Sequence, residues 1–185
     1  MPISPFPRRI TAIVGPSGAG KDTLLTTALA LRPGLRPVRR VITRPADAGG
    51  EAFEGVDEAE FARRRARGDF ALDWQAHGLR YGLPRAAFAQ GGEVVFNGSR
   101  GMLAQAAAAF PGLNVILVTA PVEVLAARLA ARGRETPETI AARLIRAEAM
   151  PLPPGLRVRV VDNGGALEAA VAAFLAALGP EVAAV

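Results

Sequence analysis

The stretch GPSGAGKDT at residues 15–23 has the spacing of a loop that binds nucleotide phosphates. Gly15, Gly20 and Lys21 match the pattern G-x-x-x-x-G-K-[ST], in which backbone N–H groups surround the phosphate oxygens and the lysine reaches the β- and γ-phosphates. The apolar run ITAIV precedes the loop and a helical pattern follows it, so a plain strand-to-helix turn is the weaker interpretation. We therefore predict nucleotide contacts along the whole loop, from Gly15, Pro16, Ser17, Gly18, Ala19, Gly20 and Lys21.

Asp22 stands where this pattern has a hydroxyl residue that helps to hold magnesium. A carboxylate in the first turn of a helix is favoured by the positive end of the helix dipole, which is one interpretation. A carboxylate is also a preferred oxygen ligand of Mg²⁺, so Asp22 is equally a candidate to bind the metal or a metal-bound water, with Thr23 sharing that role. The residue types alone leave both interpretations open.

Composition favours a globular protein of a reducing compartment. Half of the 185 residues are apolar and there is no cysteine, which excludes disulfide bonds and cysteine metal sites. The N-terminus lacks the long apolar core of a secretory signal, and the most apolar later stretch is interrupted by Glu168 and too short to span a bilayer. We expect one domain over residues 1–185, a cytoplasmic location and no membrane partner.

The charged residues favour anionic ligands over nucleic acid. There are 22 basic and 17 acidic residues, a net charge of +5, and Lys21 is the single lysine. Most of the arginines are interpreted as surface residues, but a planar guanidinium also grips phosphate in bidentate fashion. Because the positive charge is scattered and aromatic residues are few, a nucleic-acid surface is not expected.

Short β-branched runs alternate with longer alanine- and leucine-rich segments of helical period. The runs predict strands at residues 10–14, 38–43, 93–97, 113–119 and 157–161. The longer segments predict helices at residues 20–31, 57–67, 99–109, 121–132, 137–149 and 165–178. Such alternation is typical of an α/β domain with a mainly parallel central sheet that helices flank on both faces.

The loop GPSGAGK resembles that of guanylate kinases, and its ending GKDT resembles the ribose 1,5-bisphosphate phosphokinases, guanylate-kinase relatives of bacterial phosphonate utilisation. Further stretches support the second resemblance, in the order of that family: RRVITRPADAGGE at 39–51, WQAHGLRYG at 74–82, EVVFNGSR at 93–100 and ARGRETPETIAARL at 131–144. The resemblance covers residues 10–163, most of the chain. It implies a P-loop kinase fold with a lid and an acceptor-binding lobe.

On the nucleotide side, the segment ARLAARGRE resembles the mobile lid of guanylate kinases. This implies that Arg128, Arg132 and Arg134 bind ATP and the transferring phosphoryl group, although arginines spaced i, i+4 are also typical of a solvated helix face. The next helix matches a further phosphate-binding arginine, and VVDNGG resembles a loop that borders adenine, which implies roles for Arg143 and Asn163. The implied catalytic residues are Lys21, Arg132 and Arg143.

On the acceptor side, guanylate kinases hold the phosphate with the arginine of a TR pair and the tyrosine of a YG pair, here Arg44 and Tyr81. Their guanine-reading residues are largely missing, since Arg40 stands in place of a serine and FALDWQAHG is one residue shorter than the corresponding stretch. An acceptor with phosphates and a sugar but no base fits this pattern. The substrate-binding candidates are Arg40, Arg44, Glu51, Asp73, Tyr81, Asn97 and Arg100.

Some of these candidates have alternative interpretations. Asp73 either reads the ribose or holds Arg40 or Arg44 in place. Asn97 and Arg100 lie at the carboxyl end of a predicted strand, where α/β sheets bind ligands, so a substrate role is favoured for Asn97.

The resemblance implies transfer of the γ-phosphoryl group of ATP, with Mg²⁺, to the 1-phosphate of ribose 1,5-bisphosphate, which gives 5-phospho-α-D-ribose 1-diphosphate (PRPP). A phosphate oxygen is already anionic, so no general base is needed; the single histidine, His77, is interpreted as a loop residue and Trp74 as core. Two alternatives remain: a guanylate or other nucleoside-monophosphate kinase, and a non-catalytic binding module of the same fold. The sequence predicts no oligomeric state.

Overall fold

The computed structural model describes residues 9–45, 52–131, 133, 136, 138–142 and 151–182. Its strands are β1 (Arg9–Val14), β2 (Leu35–Pro37), β3 (Arg40–Ile42), β4 (Phe53–Gly55), β5 (Phe70–Ala76), β6 (Leu79–Pro84), β7 (Glu93–Asn97), β8 (Asn114–Thr119) and β9 (Arg157–Asp162). Its helices are α1 (Lys21–Leu31), α2 (Glu58–Ala66), α3 (Leu103–Ala109), α4 (Val122–Ala131) and α5 (Leu167–Leu178). Residues 138–142 are also helical, and short 3₁₀ helices cover Arg85–Phe88 and Arg100–Met102.

The main sheet has the order β2-β7-β1-β8-β9, and all of its pairings are parallel. The side chains of β1 alternate between two cores: Ile13 packs in the cluster that contains α1, α4 and α5 residues, while Ala12 and Val14 pack in the cluster of α3. Parallel strands need helical crossovers, which cover both faces of the sheet. The α/β fold with a mainly parallel sheet is therefore confirmed.

Parallel pairing also brings the carboxyl ends of the main strands to one edge of the sheet. The register aligns Ile13 of β1 with Asn97 of β7, and Thr119 of β8 with Asp162 of β9. The loops that follow these strands meet at this edge, where ligands bind in α/β folds. This edge is where the residues of the candidate site collect.

A second sheet has the order β4-β3-β6-β5 and is mixed, since β3 pairs with β4 in parallel and with β6 antiparallel. One of its faces contributes Leu72, Trp74 and Leu83 to the core that β7 and α3 share. Its other face packs against α2 through Val41 and Phe61. One core is therefore shared by the two sheets, and the single domain over residues 1–185 stays a prediction.

The sequence missed most of this second sheet, and the strand that it predicted at residues 38–43 is wrong as one element. β2 and β3 belong to different sheets: the N–H of Val38 still donates to the carbonyl of Val95 in the main sheet, 2.8 Å away, and the chain then crosses over. The predicted helix at 99–109 begins instead with the 3₁₀ turn Arg100–Met102. Of the predicted helix at 137–149, only 138–142 lies within the described residues and is helical.

α2 closes the outer face of the second sheet. Its first turn is capped by the Asp57 side chain, which accepts a hydrogen bond of 2.7 Å from the backbone N–H of Glu60. Phe61 is the buried residue of this helix. The guanidiniums of Arg64 and Arg63, which donate to the Glu60 carboxylate, lower its pKa.

A buried ion cluster fixes the opposite end of the main sheet. Glu93 is 2% exposed, and its Oε1 accepts from Arg32 Nη2 at 2.6 Å and from Arg9 Nη1 at 2.8 Å. The same two guanidiniums donate to the carbonyls of Leu178, the last residue of α5, and of Gly179 and Pro180, which follow it. The cluster therefore ties the end of α5 to β1, β7 and α1. Among the described helices, none has the length and apolar character needed to cross a membrane.

Glu93→Gln should lower the free energy of unfolding by about 3–5 kcal/mol, because it leaves buried guanidinium charge without its carboxylate. Urea titration followed by circular dichroism measures this change. Glu181→Gln is the control, since this exposed neighbour should change stability by less than about 0.5 kcal/mol. Equal stability of the two variants would contradict the prediction.

Candidate active site

The loop between β1 and α1 leaves no room for a side chain at Gly15 and Gly20, its two ends. Gly15 has φ +151°, and a Cβ there would lie 2.1 Å from the carbonyl oxygen of Val118 in β8. Gly20 has φ +84° and begins α1 in the left-handed region, and a Cβ there would lie 2.3 Å from Nδ2 of Asn163. The loop therefore passes tightly over the ends of β8 and β9.

The loop delivers the N-terminus of α1 to the carboxyl edge of the main sheet. The helix begins with the hydrogen bond from Leu24 N–H to Gly20 O, 3.1 Å long. The N–H groups that precede it have no carbonyl within the helix to bind, and they carry the positive end of the helix dipole. The arrangement can bind a phosphate with backbone N–H groups.

Lys21 folds back over the same loop. Its Nζ donates to the carbonyl of Gly15 at 2.9 Å and to the carbonyl of Pro16 at 3.0 Å. These bonds hold the ammonium group at the mouth of the loop rather than out in solvent. A phosphate that enters the loop would meet this charge.

Asp22 contacts the end of a neighbouring strand. Its Oδ1 accepts a hydrogen bond of 2.9 Å from Nδ2 of Asn97, the last residue of β7. Asn97 is 5% exposed, whereas Asp22 is exposed, so a buried amide orients a carboxylate that reaches solvent. Asp22 thus lies in the first helical turn, as one interpretation requires, and offers an oriented carboxylate, as the other requires. Thr23 beside it is exposed.

The side chains of Arg128 and Asn163 donate hydrogen bonds to carbonyls of the loop between β1 and α1. Asn163 is 4% exposed and its Nδ2 donates to the carbonyl of Ala19 at 2.8 Å. Arg128 of α4 donates to the carbonyls of Asn163, at 2.9 Å, and of Gly18, at 3.4 Å. Both side chains hold loop carbonyls in this structure, and their contact with the nucleotide stays a prediction.

The second sheet carries an arginine on an aromatic stack. The guanidinium carbon of Arg40 lies 5.0 Å from the centroid of the Tyr81 ring. Tyr81 in turn stacks on Trp74, with 5.2 Å between the ring centroids and 8° between the ring planes. Trp74 is 8% exposed, in agreement with its interpretation as a core residue.

A second arginine lies on the same face. The guanidinium carbon of Arg44 is 4.7 Å from the centroid of the Phe53 ring. Phe53 is aligned with Arg40 in the parallel pairing of β3 and β4, and aligned residues share a face of a sheet. Two phosphate-binding candidates, Arg40 and Arg44, are therefore each supported by an aromatic ring of one sheet face.

Asp73 lies on the opposite face of this sheet. It is aligned with Gly82, as is Val41, which packs against α2. Its Oδ1 lies 3.0 Å from Nε of Arg65 in α2. This pairing, rather than one with Arg40 or Arg44, is what the described residues contain, so that alternative for Asp73 is wrong. The strand alternation of FALDWQA was the signal that separates Asp73 from Trp74.

The remaining candidates divide between described and undescribed residues. Arg100 begins the 3₁₀ turn after β7 and is half-buried. His77 is exposed in the turn between β5 and β6, with φ +53°. The other candidates lie outside the described residues: Glu51, Arg132, Arg134 and Arg143. Sequence reasoning missed Phe53 and Arg65, because their roles arise from packing within the second sheet, most of which was not predicted, and between this sheet and α2.

The comparison with curated proteins found full-length relatives. The chain is 51% identical over 172 residues to ribose 1,5-bisphosphate phosphokinase PhnN of Ruegeria sp. (strain TM1040), covering 91% of this chain and 90% of the relative. It is 47% identical over 177 residues to the protein of the same name from Pseudomonas paraeruginosa (strain DSM 24068 / PA7), covering 92% and 95%. No family model matches the chain.

Some relatives are much longer. The chain is 52% identical over 170 residues to the bifunctional ribose 1,5-bisphosphokinase-thymidine phosphorylase of Cupriavidus necator. That match covers 90% of this chain and 28% of the relative. The chain thus spans just over a quarter of the length of this relative.

Solved structures share the fold at low sequence identity. A guanylate kinase from Anaplasma phagocytophilum superposes with a TM-score of 0.62 at 19% identity, covering 94% of this chain and 85% of that one. A gluconokinase from Sinorhizobium meliloti 1021 gives a TM-score of 0.51 at 21% identity, covering 94% and 92%. With the fold of these kinases, and with half of its residues identical to full-length relatives over nine-tenths of their length, the chain belongs to the ribose 1,5-bisphosphate phosphokinase family.

Proposed function

We propose that this protein transfers the γ-phosphoryl group of ATP to the 1-phosphate of ribose 1,5-bisphosphate, which gives PRPP and ADP. An oxygen of the 1-phosphate forms the new bond to the γ-phosphorus, and the bond from that phosphorus to the bridging oxygen of ADP breaks. The names of the relatives support this reaction. The observation that carries it is the glycine loop, with the ammonium of Lys21 at its mouth and the N-terminus of α1 behind it.

This reaction requires positive charge and alignment of the two substrates, and it does not require a general base. The acceptor oxygen is already anionic near neutral pH, because the second pKa of a phosphate ester is about 6. ATP and the acceptor repel each other, so catalysis depends on holding them in line and neutralising their charge. We assign the neutralisation to Lys21 on the nucleotide side and to Arg44 on the acceptor side. Tyr81 is proposed to share the acceptor phosphate with Arg44.

The remaining assignments follow the family pattern. Arg132, Arg134 and Arg143 are proposed to contact the transferring phosphoryl group from the lid and the helix after it. Arg128 and Asn163 are proposed to act on the nucleotide side while they brace the loop. Arg100 and Glu51 are proposed to lie on the acceptor side. Production of PRPP within phosphonate metabolism is the proposed setting.

Asp22 is proposed to hold Mg²⁺ together with the β- and γ-phosphates of ATP. Mg²⁺ in kinases is held by one or two carboxylates plus substrate phosphates, and a carboxylate beside the phosphate loop fits that donor set. Asn97 orients this carboxylate through its 2.9 Å hydrogen bond. The metal supplies neutralisation of phosphate charge when it is bound. Thr23 is the adjacent oxygen donor that is proposed to assist.

An assay with different acceptors distinguishes the proposed reaction from that of a guanylate kinase. The purified protein, incubated with ATP and Mg²⁺, should convert ribose 1,5-bisphosphate to PRPP, measured by chromatography of the products. GMP in the same assay should give little product, because Arg40 replaces the serine of the guanine-reading set. Turnover of GMP without turnover of the bisphosphate would refute the proposal, and protein that does not bind ATP would instead favour a binding module.

Lys21→Ala should reduce kcat by about 10²–10³-fold, because it removes a positive charge from the transferring phosphate. ATP binding measured by calorimetry should weaken as well. Arg36→Gln is the matched control: it also removes one positive charge, but from a half-buried side chain of β2 that donates to Gln90. Similar losses in both variants would indicate a general charge effect and contradict the role of Lys21.

Asp22→Ala should raise the Mg²⁺ concentration needed for half-maximal rate by about tenfold or more. Calorimetry should show weaker binding of Mg-ATP but nearly unchanged binding of ATP in the presence of EDTA. Asn97→Ala should shift the Mg²⁺ requirement in the same direction by a smaller factor, since it only frees the carboxylate. An unchanged Mg²⁺ requirement in Asp22→Ala would leave only the helix-terminus role.

A further inference from the structure

The guanidinium of Arg40 lies on a pair of stacked aromatic rings. Its guanidinium lies over Tyr81, and Tyr81 stacks nearly parallel on Trp74. Trp74 and Tyr81 are aligned cross-strand partners in β5 and β6, and Trp74 is buried in the core between the two sheets. The stack therefore begins in the core of the protein and ends at a positive charge.

Stacking constrains which part of the guanidinium can bind a ligand. The N–H donors of a guanidinium lie in the plane of the group and point outward from its edge, so they can still bind a ligand when an aromatic ring lies against the group. An edge of this kind can bind two oxygens of one phosphate at once. Because the aromatic rings already fix the side chain of Arg40, less rotamer entropy is lost when it binds an anion.

The sheet face that carries Arg40 also carries the arginine that is proposed to bind the reacting phosphate. Arg44 lies four residues further along the chain, over Phe53. Aligned pairing places Phe53 and Arg40 on one face, so both guanidiniums belong to the same side of the sheet. A ligand with two anionic groups can pair one of them with each arginine.

We propose that Arg40, held by Tyr81 and Trp74, binds the 5-phosphate of the acceptor and thereby selects a sugar bisphosphate. This inference rests on the proposed function, in which Arg44 binds the 1-phosphate. A nucleoside monophosphate presents a neutral base at its far end, which offers the guanidinium of Arg40 no anion to bind. The same residue thus favours the bisphosphate and disfavours a nucleotide acceptor.

The test uses two half-acceptors that each carry one of the two phosphates. Ribose 5-phosphate and ribose 1-phosphate are assayed as competitive inhibitors of the bisphosphate reaction, in wild-type protein and in Arg40→Gln. Arg40→Gln should raise the inhibition constant of ribose 5-phosphate by about 10–100-fold, the value of one charge-assisted contact. It should change that of ribose 1-phosphate by less than about threefold, and kcat/KM for the bisphosphate should fall by the same 10–100-fold.

Two further variants test whether the planar group of Arg40 is needed and whether the effect is specific to this arginine. Arg40→Lys keeps the charge but loses the planar group, so it should recover only part of the affinity for ribose 5-phosphate. Arg36→Gln removes the charge of a half-buried arginine on β2 that donates to the carbonyl of Gln90, and it should change neither inhibition constant. Urea unfolding of each variant checks that the fold is unchanged.

The outcomes separate the two proposals. Equal shifts for both half-acceptors, or no shift, would overturn the role of Arg40 while turnover of the bisphosphate upholds the reaction. Full recovery in Arg40→Lys would overturn the role of the aromatic support. A wild-type protein that does not turn over the bisphosphate would refute the reaction, and the assignment of the 5-phosphate would fall with it.

Discussion

The close passage of the glycine loop over the ends of β8 and β9 is the constraint on which the site depends. At Gly15 the backbone comes so near the carbonyl of Val118 that no side chain fits, and at Gly20 the side chain of Asn163 fills the equivalent space. This contact sets the direction in which α1 leaves the sheet. The positive end of the helix, Lys21 and Asp22 are all aimed by it, since all three belong to the first turn of α1.

The site joins two bodies of structure with different tasks. The main sheet brings a loop, a helix terminus and the carboxamide of Asn97 to one edge, where we propose that backbone groups and one ammonium bind the phosphates of a nucleotide. The second sheet offers guanidiniums on aromatic rings. Aromatic support and backbone hydrogen bonds both restrict motion, which suits a reaction whose barrier is lowered by alignment and charge.

The buried cluster around Glu93 also restricts motion, at the opposite edge of the main sheet. It ties the segment after α5 to the first residues of β1 and β7, away from the carboxyl edge. Two guanidiniums on one carboxylate leave an excess of buried charge, which the carbonyls of Gly179 and Pro180 partly offset by accepting hydrogen bonds from Arg32. The strands that end at the site are thus held in register at their other ends.

Elements with a clear local pattern of apolar residues were predicted from the sequence, whereas features that depend on contacts between elements were not. β7 was predicted with its observed bounds, and β1, β8, α1 and α5 to within two residues, because each has a clear apolar period. The hairpin of β5 and β6 was missed although FALDWQA alternates and a histidine–glycine turn follows, since its polar residues weaken the apolar signal. The prediction of one strand at 38–43 was wrong because no local sequence pattern shows that the chain crosses from one sheet to the other here.

The sequence by itself determined the phosphate loop, its helix and its lysine, because these residues are neighbours in the chain and their spacing alone makes the geometry. Only the tertiary structure decided which side chains meet: Asp22 and Asn97 are 75 residues apart, and Asn163 and Ala19 are 144 apart. It also decided that Asp73 turns toward α2 while its neighbour Trp74 supports Tyr81 and Arg40. Strand order and register control these contacts, and they are set by the packing of the whole core rather than by any short stretch of residues.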